Sequence, residues 1–173
     1  MGNRPGEGYS PPAADRDPRP YPRNEQTGDR HMFTGEYRHS VDAKGRVAIP
    51  ARFRLQLEEG AVVIRWVDGC AALFPRPAFE ALAAKVSVLP LADEKARAVS
   101  RFLASSAFEV ERDSQGRIVL PAAIREWAGL VGDAVVVGAW DHVEVWAPDR
   151  WSSFQKGFDS ADALASQLTG LGL

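Results

Sequence analysis

Residues 42–54, Asp-Ala-Lys-Gly-Arg-Val-Ala-Ile-Pro-Ala-Arg-Phe-Arg, return at 113–125 as Asp-Ser-Gln-Gly-Arg-Ile-Val-Leu-Pro-Ala-Ala-Ile-Arg. The copies lie 71 residues apart (42 to 113) and share Asp, Gly, Arg, Pro, Ala and the final Arg. Self-similarity at one fixed offset means that a single supersecondary unit is used twice. Each unit is too small to bury a good core alone. The two are therefore expected to pack face to face, as a pseudo-twofold module inside one chain.

The patterns around the repeat give the unit its elements. Residues 36–41 alternate, with Tyr37, His39 and Val41 on one side, as a half-buried strand does. Asp-Ala-Lys-Gly then turns the chain: Asp42 can accept from the backbone two residues on, and Gly45 tolerates positive φ. Arg46 to Ile49 reads as a second strand. Pro50 suits the first turn of a helix, expected to run to about Leu57. Strands at 61–67 and 70–74 follow, separated by Asp68-Gly69, and Pro75-Arg76-Pro77 opens a helix to about Val88. Residues 107–154 repeat that order, ending in a helix capped by Asp149 that points Trp151 and Phe154 inward. Phe79, Trp151 and Phe154 are expected in the core rather than at a subunit contact. Between the units, 93–105 is a connector helix with Val99, Phe102 and Leu103 at core-facing spacing. A weak helix is expected over 160–168.

Residues 1–31 are different material. They hold six of the twelve prolines, five Arg against five acids, and no Val, Ile, Leu or Phe. Such a segment cannot offset its ordering entropy and is expected to be disordered. Met32 opens the patterned region and is an alternative start for the chain. The expected divisions are a tail over 1–31, a first unit over 32–91, a connector helix over 92–106, a second unit over 107–156 and a C-terminal tail over 157–173. The fold class is α+β and β-rich.

Several functions find no support. No run approaches the ~18 apolar residues of a membrane span, and no apolar stretch follows Arg4 as in a secretory signal. Cys70, the one cysteine, excludes an internal disulfide or a Cys-rich zinc site and reads as a small buried hydrophobe. His31, His39 and His142 show no metal-ligand spacing and read as packed or surface residues. No nucleophile with a partnered base, no paired-carboxylate site and no phosphate loop occurs. Neither catalytic residues, nor metal, nor cofactor, nor a small-molecule substrate is expected. A cytoplasmic location is.

Charge separates the two copies. Residues 36–54 carry five cations, Arg38, Lys44, Arg46, Arg52 and Arg54, against two acids, a net +3. Residues 109–126 carry three against four, a net −1, in a chain of net charge −2. One concentrated basic hairpin on an acidic protein is what local attraction to phosphate requires. A two-stranded ribbon is also narrow enough for the major groove. Asp42, Gly45, Asp113 and Gly116 have a purely structural reading beside this one. An acid opening the turn and an Arg closing it can pair across the hairpin and fix its register.

The paired Asp-x-x-Gly-Arg motifs, each running into strand, Pro-Ala and helix, resemble the MraZ family of bacterial transcriptional regulators. Met32-Phe33-x-Gly35, Arg97, Arg101-Phe102, Ser105, Ala107, Gln115, Glu144-Val145-Trp146 and Trp151 extend the resemblance over about 32–154. The resemblance implies tandem swapped-hairpin units of the AbrB type, forming an intrachain pseudo-dimer barrel with short peripheral helices. It implies ring-like homo-oligomers that bind direct repeats in double-stranded DNA upstream of the division and cell-wall gene cluster and autoregulate it, nucleoid-associated. The DNA-contacting positions it implies are Lys44 and Arg46, with Arg117 in the second copy; Arg38 and Arg52 flank the first tip. Gln115 replaces Lys44 and Ala123 replaces Arg52, so Lys44 and Arg46 are expected to supply most of the contact. Two alternatives stand beside it: a related swapped-hairpin regulator or antitoxin, and an oligomeric protein-binding scaffold without DNA binding.

Overall fold

Among the described residues, eight short strands and five α-helices follow from these patterns, and the strand pairing is set across the repeat. The structure, a computed structural model, describes residues 32–90 and 92–171. The tail expected to be disordered, His31 and the chain's last two residues lie outside that range.

The first unit supplies β1 (Glu36–Ser40), β2 (Arg46–Ala48), β3 (Ala61–Arg65) and β4 (Ala71–Pro75), then α1 (Arg76–Ser87). Helix α2 (Glu94–Ser105) follows, capped by the Asp93 carboxylate, which accepts from the Lys95 N–H at 2.9 Å. The second unit repeats the order with β5 (Phe108–Val110), β6 (Arg117–Val119), α3 (Ala122–Ala128), β7 (Asp133–Ala139) and β8 (His142–Trp146). Helices α4 (Pro148–Gln155) and α5 (Ala161–Gly170) complete it.

One sheet runs β1-β7-β8-β4-β3-β5, and a second pairs β2 with β6. The order reads the same from either end when the units are exchanged. Each unit's first strand pairs with the other's third: Tyr37 opposes Val136 in β7, and Val110 opposes Ala61 in β3. This is the swapped pairing that the resemblance implies. The expected barrel, however, is not closed. Closure would need β1 to pair with β2 along its length, and the turn at Asp42 limits that pairing to one bridge, Val41 to Val47. The turn at Asp113 likewise leaves only Arg112 to Ile118, so β1 and β5 remain edges.

The main core lies between the six-stranded sheet and the β2–β6 ribbon. Phe33, Val47, Ile49, Phe53, Leu120 and Ile124 are its largest fully buried side chains from outside the sheet. Alternation puts Val47 and Ile118 inward and leaves their neighbours Arg46 and Arg117 half-exposed.

Several local expectations change. The helix expected over 50–57 is two 3-10 turns, Ala51–Phe53 and Leu55–Leu57, whose N–H groups reach carbonyls three residues back. Its counterpart α3 is a true α-helix, ended by Gly129 in the left-handed region where the first unit has Glu58. On α2 only Leu103 packs into the sheet-face cluster, while Val99 and Phe102 are exposed. Helix α4 takes its cap at Ala147 rather than Asp149, with Pro148 at its first position. Phe79 and Trp151 pack onto core clusters, but Phe154 is exposed. Cys70 is buried and its thiol is pushed up, first by burial and then by the nearby Glu144 carboxylate.

Candidate nucleic-acid interface

Both repeat turns are clasped by their own acid. Asp42 Oδ1 accepts from the Lys44 and Arg46 backbone N–H groups at 2.8 and 3.0 Å, and Oδ2 accepts from Arg46 Nε at 2.7 Å. The Gly45 N–H closes the turn onto the Asp42 carbonyl at 2.8 Å, with φ of +77° at Gly45. Asp113 repeats the device with the Gln115 and Arg117 N–H groups at 3.0 and 2.9 Å. Its Oδ2 accepts from both Arg117 Nε and Nη2, at 2.9 and 2.8 Å. The register-fixing ion pair of the structural reading is therefore present in both turns.

The clasp does not exhaust the arginines. The Arg46 and Arg117 side chains keep 29% and 27% of their surface accessible. A guanidinium has five N–H donors, so each retains donors for a second acceptor. Lys44, at the tip of the first turn, is exposed and has no ion-pair partner among the described residues. Arg38 is exposed beside Glu36 at 3.6 Å, and Arg52 donates to the Tyr37 hydroxyl at 3.0 Å. All five candidate cations thus reach the surface.

The two tips lie at opposite ends of the β2–β6 ribbon. Arg46 opposes Val119, and Ala48 opposes Arg117. Two residue steps at ~3.4 Å each set Arg46 and Arg117 about 7 Å apart along the ribbon. Each tip is also propped by the other unit. Arg125 donates to the Leu120 carbonyl at 3.2 Å and lies under Gly45, where an added Cβ would meet its Nε at 2.9 Å. Arg54 donates to the Ile49 carbonyl at 2.9 Å and lies under Gly116, where a Cβ would meet its guanidinium at 2.5 Å. Sequence reading placed Arg54 in the basic patch; the structure makes it a brace. The signal was in the repeat, since the final Arg of the motif is among the few identities retained.

The clasp sets a pH limit. Hydrogen bonds from the Arg46 backbone N–H, then from its side chain and the Lys44 N–H, hold the Asp42 carboxyl down at about 2, against an ordinary 3.8. Asp113 is lowered as well, first by the Arg117 backbone N–H and then by its side chain. A folded value below the unfolded one gives stabilisation that is full above about pH 4 and lost as pH falls from there toward 2. Carboxyl titration followed by NMR should therefore find Asp42 ionised at pH 4, and hairpin order lost only below about pH 3.

His142 is packed. Its ring stacks on Phe74 at 4.6 Å between centroids, with Nδ1 2.7 Å from Asp141 and Nε2 3.3 Å from Glu144. Burial lowers its proton affinity, but the two carboxylates raise it on balance. Among the described residues no helix is long and apolar enough to cross a membrane.

The profile of the family described as "MraZ protein, putative antitoxin-like" matches twice, over residues 32–102 and 103–170. Transcriptional regulator MraZ of Roseiflexus sp. strain RS-1 is 46% identical over 136 residues, covering 79% of this chain and 95% of the relative. The protein of the same name from Herpetosiphon aurantiacus is 42% identical over 143 residues, 82% of this chain and all of the relative. That from Pelotomaculum thermopropionicum is 43% identical over 143 residues, 82% and 99% of the two chains.

Proposed function

Because this chain belongs to the MraZ family, we propose that it is a sequence-specific DNA-binding transcriptional regulator. It acts as a ring-like homo-oligomer on direct repeats upstream of the division and cell-wall gene cluster and so controls its own expression. One observation carries the reading: an exposed basic tip, Lys44 beside Arg46, is held rigid by Asp42 on a chain of net charge −2. Rigidity matters because the Arg46 guanidinium, already fixed by Asp42, loses little entropy when a phosphate or a guanine edge arrives.

A single tip offering two or three contacts binds weakly. Identical tips on one rim engage successive sites, and linkage multiplies their affinities without new contacts. Protected sites should recur near one helical turn, ~10 bp, so that each tip meets the same groove face. Arg117 contributes less than Arg46, since Gln115 and a local charge of −1 accompany it.

Nuclease protection and gel shifts on the DNA upstream of the chain's own gene test the proposal. Affinity should fall by roughly 10³-fold or more between 50 and 200 mM salt if several tips engage. Lys44→Ala should lower the slope of log affinity against log salt by about one unit per engaged tip. Binding that ignores salt, or no protection at all, leaves the protein-binding scaffold as the better account.

A further inference from the structure

Between the tips, the β2–β6 ribbon turns a second surface outward. Directly opposed residues of an antiparallel pair share a face. Val47 and Ile118 oppose each other and are buried, so the outward face consists of Arg46 beside Val119 and Ala48 beside Arg117. Each pair joins a cation from one repeat to an aliphatic side chain from the other. Val119 is 53% exposed. A lone surface valine ordinarily needs no explanation. This one flanks the cation of the stronger tip, at the ~4.5–5.5 Å that separates the Cβ atoms of opposed residues.

The ribbon holds the two side chains in fixed relation. The N–H of Leu120, next to Val119, donates to the carbonyl of Gly45, next to Arg46, at 2.8 Å. Asp42 engages Arg46 through Nε. Both terminal nitrogens of Arg46 are thereby left uncommitted among the described residues, as an end-on fork that fits guanine O6 and N7 or two phosphate oxygens. Arg117 spends Nη2 as well as Nε on Asp113 and keeps no such fork free. Successive base pairs are ~3.4 Å apart, so an Arg46 contact brings Val119 over the next base pair or the one after. The apolar group that a base edge offers there is the C5 methyl of thymine.

We infer that Val119 is a specificity-determining residue that packs on the C5 methyl of a thymine one or two base pairs from the Arg46 contact. This rests on the regulator reading above and names the base chemistry that the site selects. The second repeat then serves recognition through its strand rather than through its own tip. Gln115 and the neighbouring acids weaken Arg117, while Val119 completes the site of the first repeat. Ala48, the counterpart beside Arg117, is shorter by two methyl groups and reaches less far.

Thymine-to-deoxyuridine scanning of the protected duplex, read by gel shift with the full chain, tests this. The exchange deletes the methyl and keeps every hydrogen-bonding group. At one thymine in a repeat the wild type should lose affinity roughly fourfold, the worth of one buried methyl. Val119→Ala should bind the thymine duplex about as weakly as the wild type binds the uracil one, and should not distinguish the two. Val119→Thr keeps the branched shape and one methyl, so part of the discrimination should return. Both variants should melt within a few degrees of wild type, since the side chain is exposed. Lys44→Ala should weaken both duplexes equally and leave their ratio unchanged, because a phosphate contact carries no base information. A repeat without thymine, a wild type indifferent to uracil at every thymine, or discrimination that survives Val119→Ala each overturns the inference. Salt-sensitive, Lys44-dependent binding in any of those cases leaves the regulator reading standing; absence of binding to every upstream duplex removes both.

Discussion

Arg46→Ala is expected to abolish binding to the upstream DNA at salt concentrations where the wild type binds, while the oligomer keeps its mass. Two losses coincide in one substitution. The tip loses a cation with donors to spare, and Asp42 loses the partner that neutralises it at 2.7 Å. An unpaired carboxylate then faces the phosphates. A single charged contact of this kind is worth about 1–3 kcal/mol, and the deficit recurs at every engaged tip. Arg46→Lys should fall between, since a lysine keeps the charge but cannot hold Asp42 and reach DNA with one planar fork. Arg117→Ala should weaken binding less, because Gln115 and four local acids already disfavour phosphate there. Equal losses at Arg46 and Arg117 would refute the asymmetry; wild-type affinity for Arg46→Ala would refute the assigned role. Oligomer mass is the control that separates a lost contact from a lost fold.

The second large effect lies beneath the tips. Phe53 is fully buried and meets Phe33 and Tyr37 edge-on, with ring centroids at 5.2 and 5.3 Å. Phe53→Ala removes that packing and leaves a cavity the sheet cannot fill, at a cost of about 3–5 kcal/mol. For a domain of this size the melting temperature should drop by roughly 10 °C. Urea unfolding should show a lower midpoint with an unchanged slope, as expected of a loss of stability alone. Phe53→Leu should cost less, about 1–1.5 kcal/mol. The adjacent Arg54 braces the Gly116 turn, so hydrogen exchange at 113–117 should accelerate in Phe53→Ala before exchange at 42–46 does. A melting temperature within a degree or two of wild type would show that the site collapses without loss.

The turn chemistry was legible because it is local. Asp, Gly and Arg at fixed spacing imply an acid that accepts from backbone N–H groups and a left-handed residue, and both appear at Gly45 and Gly116. The exposed cations were legible as well, since alternation along β2 puts Val47 inward and Arg46 outward. Val99 and Phe102 were misplaced for a reason of the same kind. Helical spacing identifies an apolar face but not what covers it, and within this subunit only Leu103 of that face meets the sheet.

The sequence by itself determined the duplication, the two clasped turns, the concentration of cations on the first, and the family. Tertiary structure alone decided which unit completes which. Tyr37 pairs with Val136 rather than with a strand of its own unit, and Arg54 and Arg125 each brace the opposite turn. Both repeats carry the same apolar alternation, so each first strand fits either third strand equally well as a pattern. The choice lies in the global arrangement, where the turns at Asp42 and Asp113 hold β1 and β5 to a single bridge with their own hairpin partners. Each first strand is left to complete its ladder across the pseudo-twofold axis.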